Sequence, residues 1–422
     1  MAKKKKAEKP RREITRRQLA RWQQQKRRQR IIFITGVSII AAVVVMVLLG
    51  WFIGYYRPMH ENIIKVNDTE FNMRYYIDML KIRAEGQPPG NLYNLADQVV
   101  REIEQDELIR QGALQLRVSA SKDEVRQALE QSDLPSNHAA RDIVRGQILL
   151  GKLQDTYFES EIPKSGEQAQ IMAMLLESEG QTAETRERLD SGESFEELAK
   201  ELSLNPYTKE QGGDLGWHPR GILIYLLGTS VVEDYAFGAQ AGMLSQPRYD
   251  EEVTKNFGYW LINVVSRGED EEEDAHVQAM LLGSEEEAEE IRAKLEAGED
   301  FATLAKAHSQ LLDVEENGGD LGMITKDSVT DAFDEYVFSD VEPGEISEPI
   351  RDEKLATAGG YWLIKVVAKE SDREIDVNDR NLMKLNASQE WVAQLWANPA
   401  SMVDSFLDEQ KKEWAIAQVI QG

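Results

Sequence analysis

An internal repeat restricts the fold of this chain more than any other feature. Ala173-Met174-Leu175-Leu176 returns as Ala279-Met280-Leu281-Leu282, and Gly212-Gly213-Asp214-Leu215-Gly216 as Gly318-Gly319-Asp320-Leu321-Gly322, both at an offset of 106 residues. Between them, Ser191-Gly192-Glu193-Ser194-Phe195 matches Ala297-Gly298-Glu299-Asp300-Phe301, and Leu198-Ala199-Lys200 matches Leu304-Ala305-Lys306. Farther on the offset falls to 102, pairing Tyr259-Trp260-Leu261-Ile262 with Tyr361-Trp362-Leu363-Ile364. So many ordered matches mean one domain of about 100 residues present twice. The copies span 168–267 and 274–369, with the acidic run 268–273 between them. That run reads as a solvated linker rather than a cation site.

Each copy reads as mixed helix and strand. Ala-Met-Leu-Leu suits a buried strand. Glu285 to Leu295 has Ala288, Ile291 and Leu295 at helical spacing, and Gly298 stops that helix. Phe301, Leu304 and Ala305 begin another. The Gly-Gly-Asp-Leu-Gly motif is a turn feeding a strand, and Tyr-Trp-Leu-Ile-x-Val-Val closes each copy as a strand.

Charge divides the chain into two regimes. Residues 1–30 carry fourteen Lys/Arg against Glu8 and Glu13, a net +12, whereas the whole chain is −26, leaving −38 for the rest. Between the regimes, Ile31 to Gly54 is 24 residues without a charge. As a helix this run spans roughly 36 Å, enough for a hydrocarbon core of about 30 Å. Trp51, Tyr55 and Tyr56 stand at its far end, where aromatic rings favour the interface. A basic flank before the span predicts a single-pass protein of the cell membrane, its N-terminus cytoplasmic and its bulk outside. A cleaved signal would be shorter and end in small residues. The acidic bulk argues against a nucleic-acid partner, and the basic tail is read as an orientation signal touching anionic lipid. There is no cysteine, and the five histidines show no metal-ligand spacing, so no metal or cofactor is expected.

The order of these signals resembles the parvulin, or PpiC-type, peptidyl-prolyl isomerases. The second copy carries Pro343-Gly344-Glu345-Ile346-Ser347-Glu348-Pro349 of that pattern, and the first the looser Ala241-Gly242-Met243-Leu244-Ser245-Gln246-Pro247. Upstream, Ile64-Lys65-Val66-Asn67-Asp68-Thr69-Glu70-Phe71 looks like the opening of the SurA-, PrsA- and PpiD-type foldases. The resemblance implies an α+β architecture. A transmembrane helix (31–54) would lead into a helical chaperone region (60–165), with helices near 94–117, 121–131 and 137–160. Two parvulin-like domains with antiparallel sheets flanked by helices would follow, then a helical segment (370–422) bearing Trp391, Trp396, Phe406 and Trp414. The implied function is membrane-anchored protein folding outside the cytoplasm, acting on unfolded or newly exported polypeptides. The rival readings are a catalytically inactive chaperone and a membrane-tethered scaffold for a folded partner.

Parvulins place two histidines and a Cys or Asp around an apolar seat for proline. Carried over by motif, the first histidine falls on Ala173 and Ala279, the second on Trp260 and Trp362, and the Cys/Asp position on Asn205 and Leu311. The usual polar groups are therefore replaced in both copies. The apolar seat is expected from Leu321, Val329, Phe333 and Thr357 in the second copy, with Val232 at the Phe position of the first. His276 lies three residues before Ala279, on the opposite face of a strand. A Trp in place of the second histidine either blocks proline or offers a flat contact, and the residues alone leave both open.

Overall fold

Each Ala-Met-Leu-Leu run forms the inner half of a long strand because helices cover it on both faces. The computed structural model describes residues 16–268 and 274–421. The start of the basic tail and the acidic stretch after Gly268 lie outside the described residues. In chain order the strands are β1 (Asn62–Val66), β2 (Thr69–Asn72), β3 (Ser165–Leu176), β4 (Asp214–Pro219), β5 (Arg248–Lys255) and β6 (Gly258–Arg267). They continue with β7 (Asp274–Leu282), β8 (Asp320–Thr325), β9 (Ile350–Asp352), β10 (Thr357–Glu374) and β11 (Val403–Ser405). One compact unit combines the chain up to Tyr157 with Ser388 onward, and the other is Phe158–Ala387.

In the Phe158–Ala387 unit, β3 splits its side chains between two layers. Ala173 and Leu175 pack with Leu223, Leu227, Val232 and Ala236, while Met174 and Leu176 pack with Phe195, Leu198 and Ala199. Burial on both faces explains why the run is continuously apolar rather than alternating. The helix after each strand starts at a serine. Ser178 accepts from the Gln181 amide and Ser284 from the Glu287 amide, satisfying donors that a helix start leaves free. The expected helix from Glu285 runs to Glu296. Gly319 holds a φ of +80°, and a Cβ there would lie 2.7 Å from the Ala279 carbonyl oxygen, so the doubled glycine is a steric requirement.

The sheets do not follow the two sequence copies. Their strand orders are β4-β3-β10-β5 and β8-β7-β6-β9, all antiparallel, so the closing strand of each copy lies in the other copy's sheet. Ala173 faces Ile364 and Leu175 faces Trp362, while Ala279 faces Ile262 and Leu281 faces Trp260. The registers are equivalent because β6 and β10 share the Tyr-Trp-Leu-Ile pattern. The ranges 168–267 and 274–369 thus describe repeats in sequence, whereas each folded sheet draws on both. Where the exchanged chains pass, the Thr357 hydroxyl donates to the Phe257 carbonyl at 2.7 Å. A Cβ on Gly258 would come within 2.6 Å of Thr357 Cγ2, so glycine permits this close passage.

In the other unit, β1 is central to the order β11-β1-β2. Asn67 adopts a φ of +53°, which asparagine tolerates, and turns β1 into β2. Its side chain accepts from the Met402 amide at 2.8 Å, and its amide donates to the Met402 carbonyl, seating the returning C-terminal segment. Helices follow at Met73–Ala84, Leu92–Gln115, Lys122–Glu130 and His138–Lys152, close to the expected stretches. Ile63, Val66, Tyr76, Leu80, Val99 and Ile103 form the core, joined by Ala415 and Trp414 of the last helix, Glu409–Ile420. The C-terminal segment is not helical throughout: β11 interrupts it between Ala397 and Glu409. On Gly112 a Cβ would fall 2.7 Å from the Trp391 ring, so this tryptophan packs directly on the helix backbone. The helix Arg16–Trp51 continues through a π-turn, Phe52–Tyr56, into Arg57–Met59. Within Arg30–Met59 an 18-residue stretch has a mean hydropathy of 3.0 and none of it is buried, so the helix is long and apolar enough to cross a membrane.

The exchange makes a direct prediction in a chain without cysteine. Asn263 faces Gln278 across β6 and β7, whereas Met172 faces Lys365 across β3 and β10. Oxidation of Asn263→Cys/Gln278→Cys should give an intrachain disulfide, and Met172→Cys/Asn263→Cys should not. Non-reducing electrophoresis with peptide mapping distinguishes them, and the reverse result would mean that each copy keeps its own closing strand.

Candidate functional site

The expected proline seats lie on the faces of the two sheets that carry Ala173 and Ala279. Residue parity in β7 sends Ala275, Val277, Ala279 and Leu281 to this face. His276, one residue out of phase, bonds Asp320 Oδ1 at 2.7 Å on the other side. In the second sheet Trp260 is 2% exposed and Phe333 wholly buried, their rings meeting edge to face at 4.9 Å. Leu321 is partly buried in the same cluster, with Leu311 at its margin. Val329 precedes the helix Asp331–Val337, which carries Phe333, and is 36% exposed. In the first sheet Trp362 is wholly buried among Leu223, Leu227, Val232 and Ile364, beside Ala173.

Each indole is fixed by a carboxylate that sequence reasoning missed. Trp260 Nε1 donates to Asp352 Oδ2 at 3.0 Å, and Trp362 Nε1 to Asp250 Oδ2 at 2.8 Å. Asp352 also accepts from the Thr330 hydroxyl at 2.5 Å and the Lys354 amide at 2.9 Å. Burial alone would raise the Asp352 pKa, but these donors outweigh it and hold the carboxyl below its ordinary value. The signal was present in the repeat: Asp250 and Asp352 each stand three residues after a matched proline, Pro247 or Pro349.

The remaining positions separate. Thr357 is at the strand crossing, its hydroxyl donating to the Phe257 carbonyl. Asn205 caps the helix Pro206–Glu210 by accepting from the Thr208 amide at 3.0 Å. Leu321, Phe333 and Trp260 come together, but as core around an indole.

A second candidate site lies in the unit built around β1. A cavity of about 370 Å³ opens there between three helices. Phe71, Ile103, Leu114 and Leu149 supply apolar wall, while Tyr75, Asp106, Glu107, Arg110, His138, Asp142 and Arg145 supply polar groups. Most of these charges are paired. Arg110 bonds Glu107 at 2.6 Å, Arg145 pairs with Asp142, and Arg83 pairs with the neighbouring Glu102. Asp142 further accepts from the Tyr75 hydroxyl at 3.1 Å. Asp106 makes no ion pair or hydrogen bond among the described residues. Burial, reinforced by the Glu102 and Asp142 carboxylates, pushes its pKa up to about 7. Its sequence signal is an acid on an otherwise inward stripe, Val99-Ile103-Asp106-Arg110, at helical spacing.

Comparison with known proteins agrees with the repeat. A rotamase family model, the PPIC-type PPIASE domain, matches residues 163–266 and again 269–368. Chaperone SurA of Nitrosococcus oceani is 23% identical over 393 residues, covering 78% of this chain and 87% of that protein. Foldase protein PrsA of Exiguobacterium sibiricum is 31% identical over 145 residues, covering 34% of this chain and 45% of that one. The crystal structure of the peptidylprolyl isomerase PrsA from Bacillus anthracis aligns over 83% of this chain and 96% of its own, with 14% identity and a TM-score of 0.27.

Two stability outcomes follow. Asp352→Ala leaves a buried indole N–H without its acceptor and should cost about 1–3 kcal/mol in chemical denaturation. Trp260→Ala should cost roughly 3–5 kcal/mol, a loss that a surface-facing indole would not produce. Asp106 behaves oppositely. Its native pKa of about 7 lies above its ordinary value of 3.8, so the native state takes up a proton first as pH falls. Wild type should therefore gain on Asp106→Asn between about pH 7 and 4, by at most roughly 1.4 kcal/mol per pH unit. A stability difference that does not vary with pH would contradict this environment for Asp106.

Proposed function

Because residues 163–266 and 269–368 are two PPIC-type PPIase domains, we propose that this protein is a folding factor that holds non-native polypeptide with little or no prolyl-isomerase turnover. The observation that carries this reading is the burial of Trp260 and Trp362 where the family's second histidine would stand. Rotation about an X-Pro bond needs a seat for the ring and hydrogen-bonding groups that favour the twisted amide over the planar one. Here the seat holds indole, whose single donor is already given to Asp352 or Asp250. Ala173 and Ala279 bring no polar side-chain atom. Loss of groups that act only on the transition state lowers turnover without removing ground-state binding elsewhere.

Binding then rests on surfaces outside the filled seats, the cavity around Asp106 among them. The apolar helix Arg30–Met59 would anchor the protein, and its basic flank favours an N-inside orientation with both folded units outside the cytoplasm. The acidic bulk would keep the units soluble and favour neutral or basic clients. Likeness to the chaperone SurA and the foldase PrsA supports exported or unfolded polypeptide as the client class.

The test uses the full chain in detergent. Protease-free measurement of prolyl isomerisation should give a rate near the uncatalysed one, which takes tens of seconds or longer. The same preparation should suppress aggregation of several unrelated unfolded proteins. Acceleration of 100-fold or more, abolished by Phe333→Ala, would instead establish an active isomerase. Failure to protect any unfolded client, with capture of one folded partner, would favour a membrane-tethered scaffold.

A further inference from the structure

Asp106 stands out in its cavity because charge accounting leaves it over. Arg83, Arg110 and Arg145 each have a carboxylate partner, in Glu102, Glu107 and Asp142. Arg83 and Glu102 lie outside the cavity lining, whereas Asp106 lines it and makes no ion pair among the described residues, beside a helix whose Gly146 leaves room for it: a Cβ there would lie 3.3 Å from Asp106 Oδ1. Around it Phe71, Ile103, Leu114 and Leu149 form an apolar wall. A volume of about 370 Å³ exceeds what an isolated water or two would need, since each water takes about 30 Å³.

The chemistry of the occupant follows from these groups. An anion would find every guanidinium already engaged and would meet the Asp106 charge. A purely apolar side chain would strip the remaining water from a carboxylate without replacing it, which is unfavourable. A long aliphatic stem ending in a cation satisfies both parts: the stem lies on the apolar wall and the head group meets the carboxylate. We infer that this cavity is a side-chain pocket for a lysine of a bound polypeptide, with Asp106 as its counter-ion. The inference deepens the polypeptide-binding reading above and rests on it.

Fluorescence anisotropy with the full chain tests it, using extended peptides identical except at one central position, lysine or the uncharged isostere norleucine. At pH 8 the lysine peptide should bind about tenfold more tightly than the norleucine peptide. Asp106→Asn should reduce that preference to less than twofold, because the lysine peptide loses its counter-ion and the norleucine peptide no longer desolvates a carboxylate. Glu130→Gln removes an exposed carboxylate of the same unit that does not line the cavity, and it should keep the preference. Circular dichroism of Asp106→Asn should match wild type, which excludes misfolding as the cause.

A preference that survives Asp106→Asn, or that Glu130→Gln lowers equally, would overturn the pocket and leave only a general acidic field. Equal binding of the two peptides by wild type would overturn it as well, while leaving the polypeptide-binding reading intact. Absence of binding by either peptide, together with no protection of unfolded clients, would remove both.

Discussion

The antiparallel pairing of β3 with β10, and of β6 with β7, is the constraint on which the Phe158–Ala387 unit depends. Neither sheet is complete without a strand from the other copy. A sheet lacking its closing strand would expose unpaired backbone groups and a buried apolar row, so the two copies are coupled in stability. The pairing also decides the composition of each seat. The tryptophan beside Ala173 is Trp362, and that beside Ala279 is Trp260, so both copies furnish each seat. Interactions normally internal to one repeat become contacts between repeats.

The same pairing buries Trp260 and Trp362. An indole needs one acceptor and otherwise only apolar neighbours, and the matched aspartates provide the acceptor. A seat filled in this way gains packing at the expense of the polar groups that would act on a twisted amide. The opposite balance holds in the β1 unit, where the half-buried Asp106 makes no ion pair among the described residues while Glu102, Glu107 and Asp142 are paired. One unit buries its two tryptophans with their acceptors, and the other keeps polar groups facing a space.

Much of this was legible in the residues, for identifiable reasons. The strands around Ala173 and Ala279 and the helix beginning at Glu285 carry local periodicity and capping, which act over a few residues. The opposite-face placement of His276 follows from strand parity alone. The exchange was not legible, because β6 and β10 have the same Tyr-Trp-Leu-Ile pattern and local sequence cannot say which partner each takes. The environment of each tryptophan depends on Asp250 and Asp352, whose relation to the rings is long-range. Asp106 showed only as an acid on an inward stripe; its lack of a partner depends on side chains from three helices.

The strand contacts carry a further consequence for how such a chain assembles. Written along the sequence they close like brackets: β6 with β7 innermost, then β6 with β9, β10 with β5, β10 with β3, and β11 with β1 outermost. A polypeptide delivered from its N-terminus presents the outer opening brackets long before their mates. The central strand β1 waits for residues beyond 400, while the innermost pair is separated by only a few residues. Loop-closure entropy favours short connections, so the hairpins β1–β2 and β6–β7 are the least costly pairs to close, and the β1–β11 pair, which needs residues beyond 400, is the most costly.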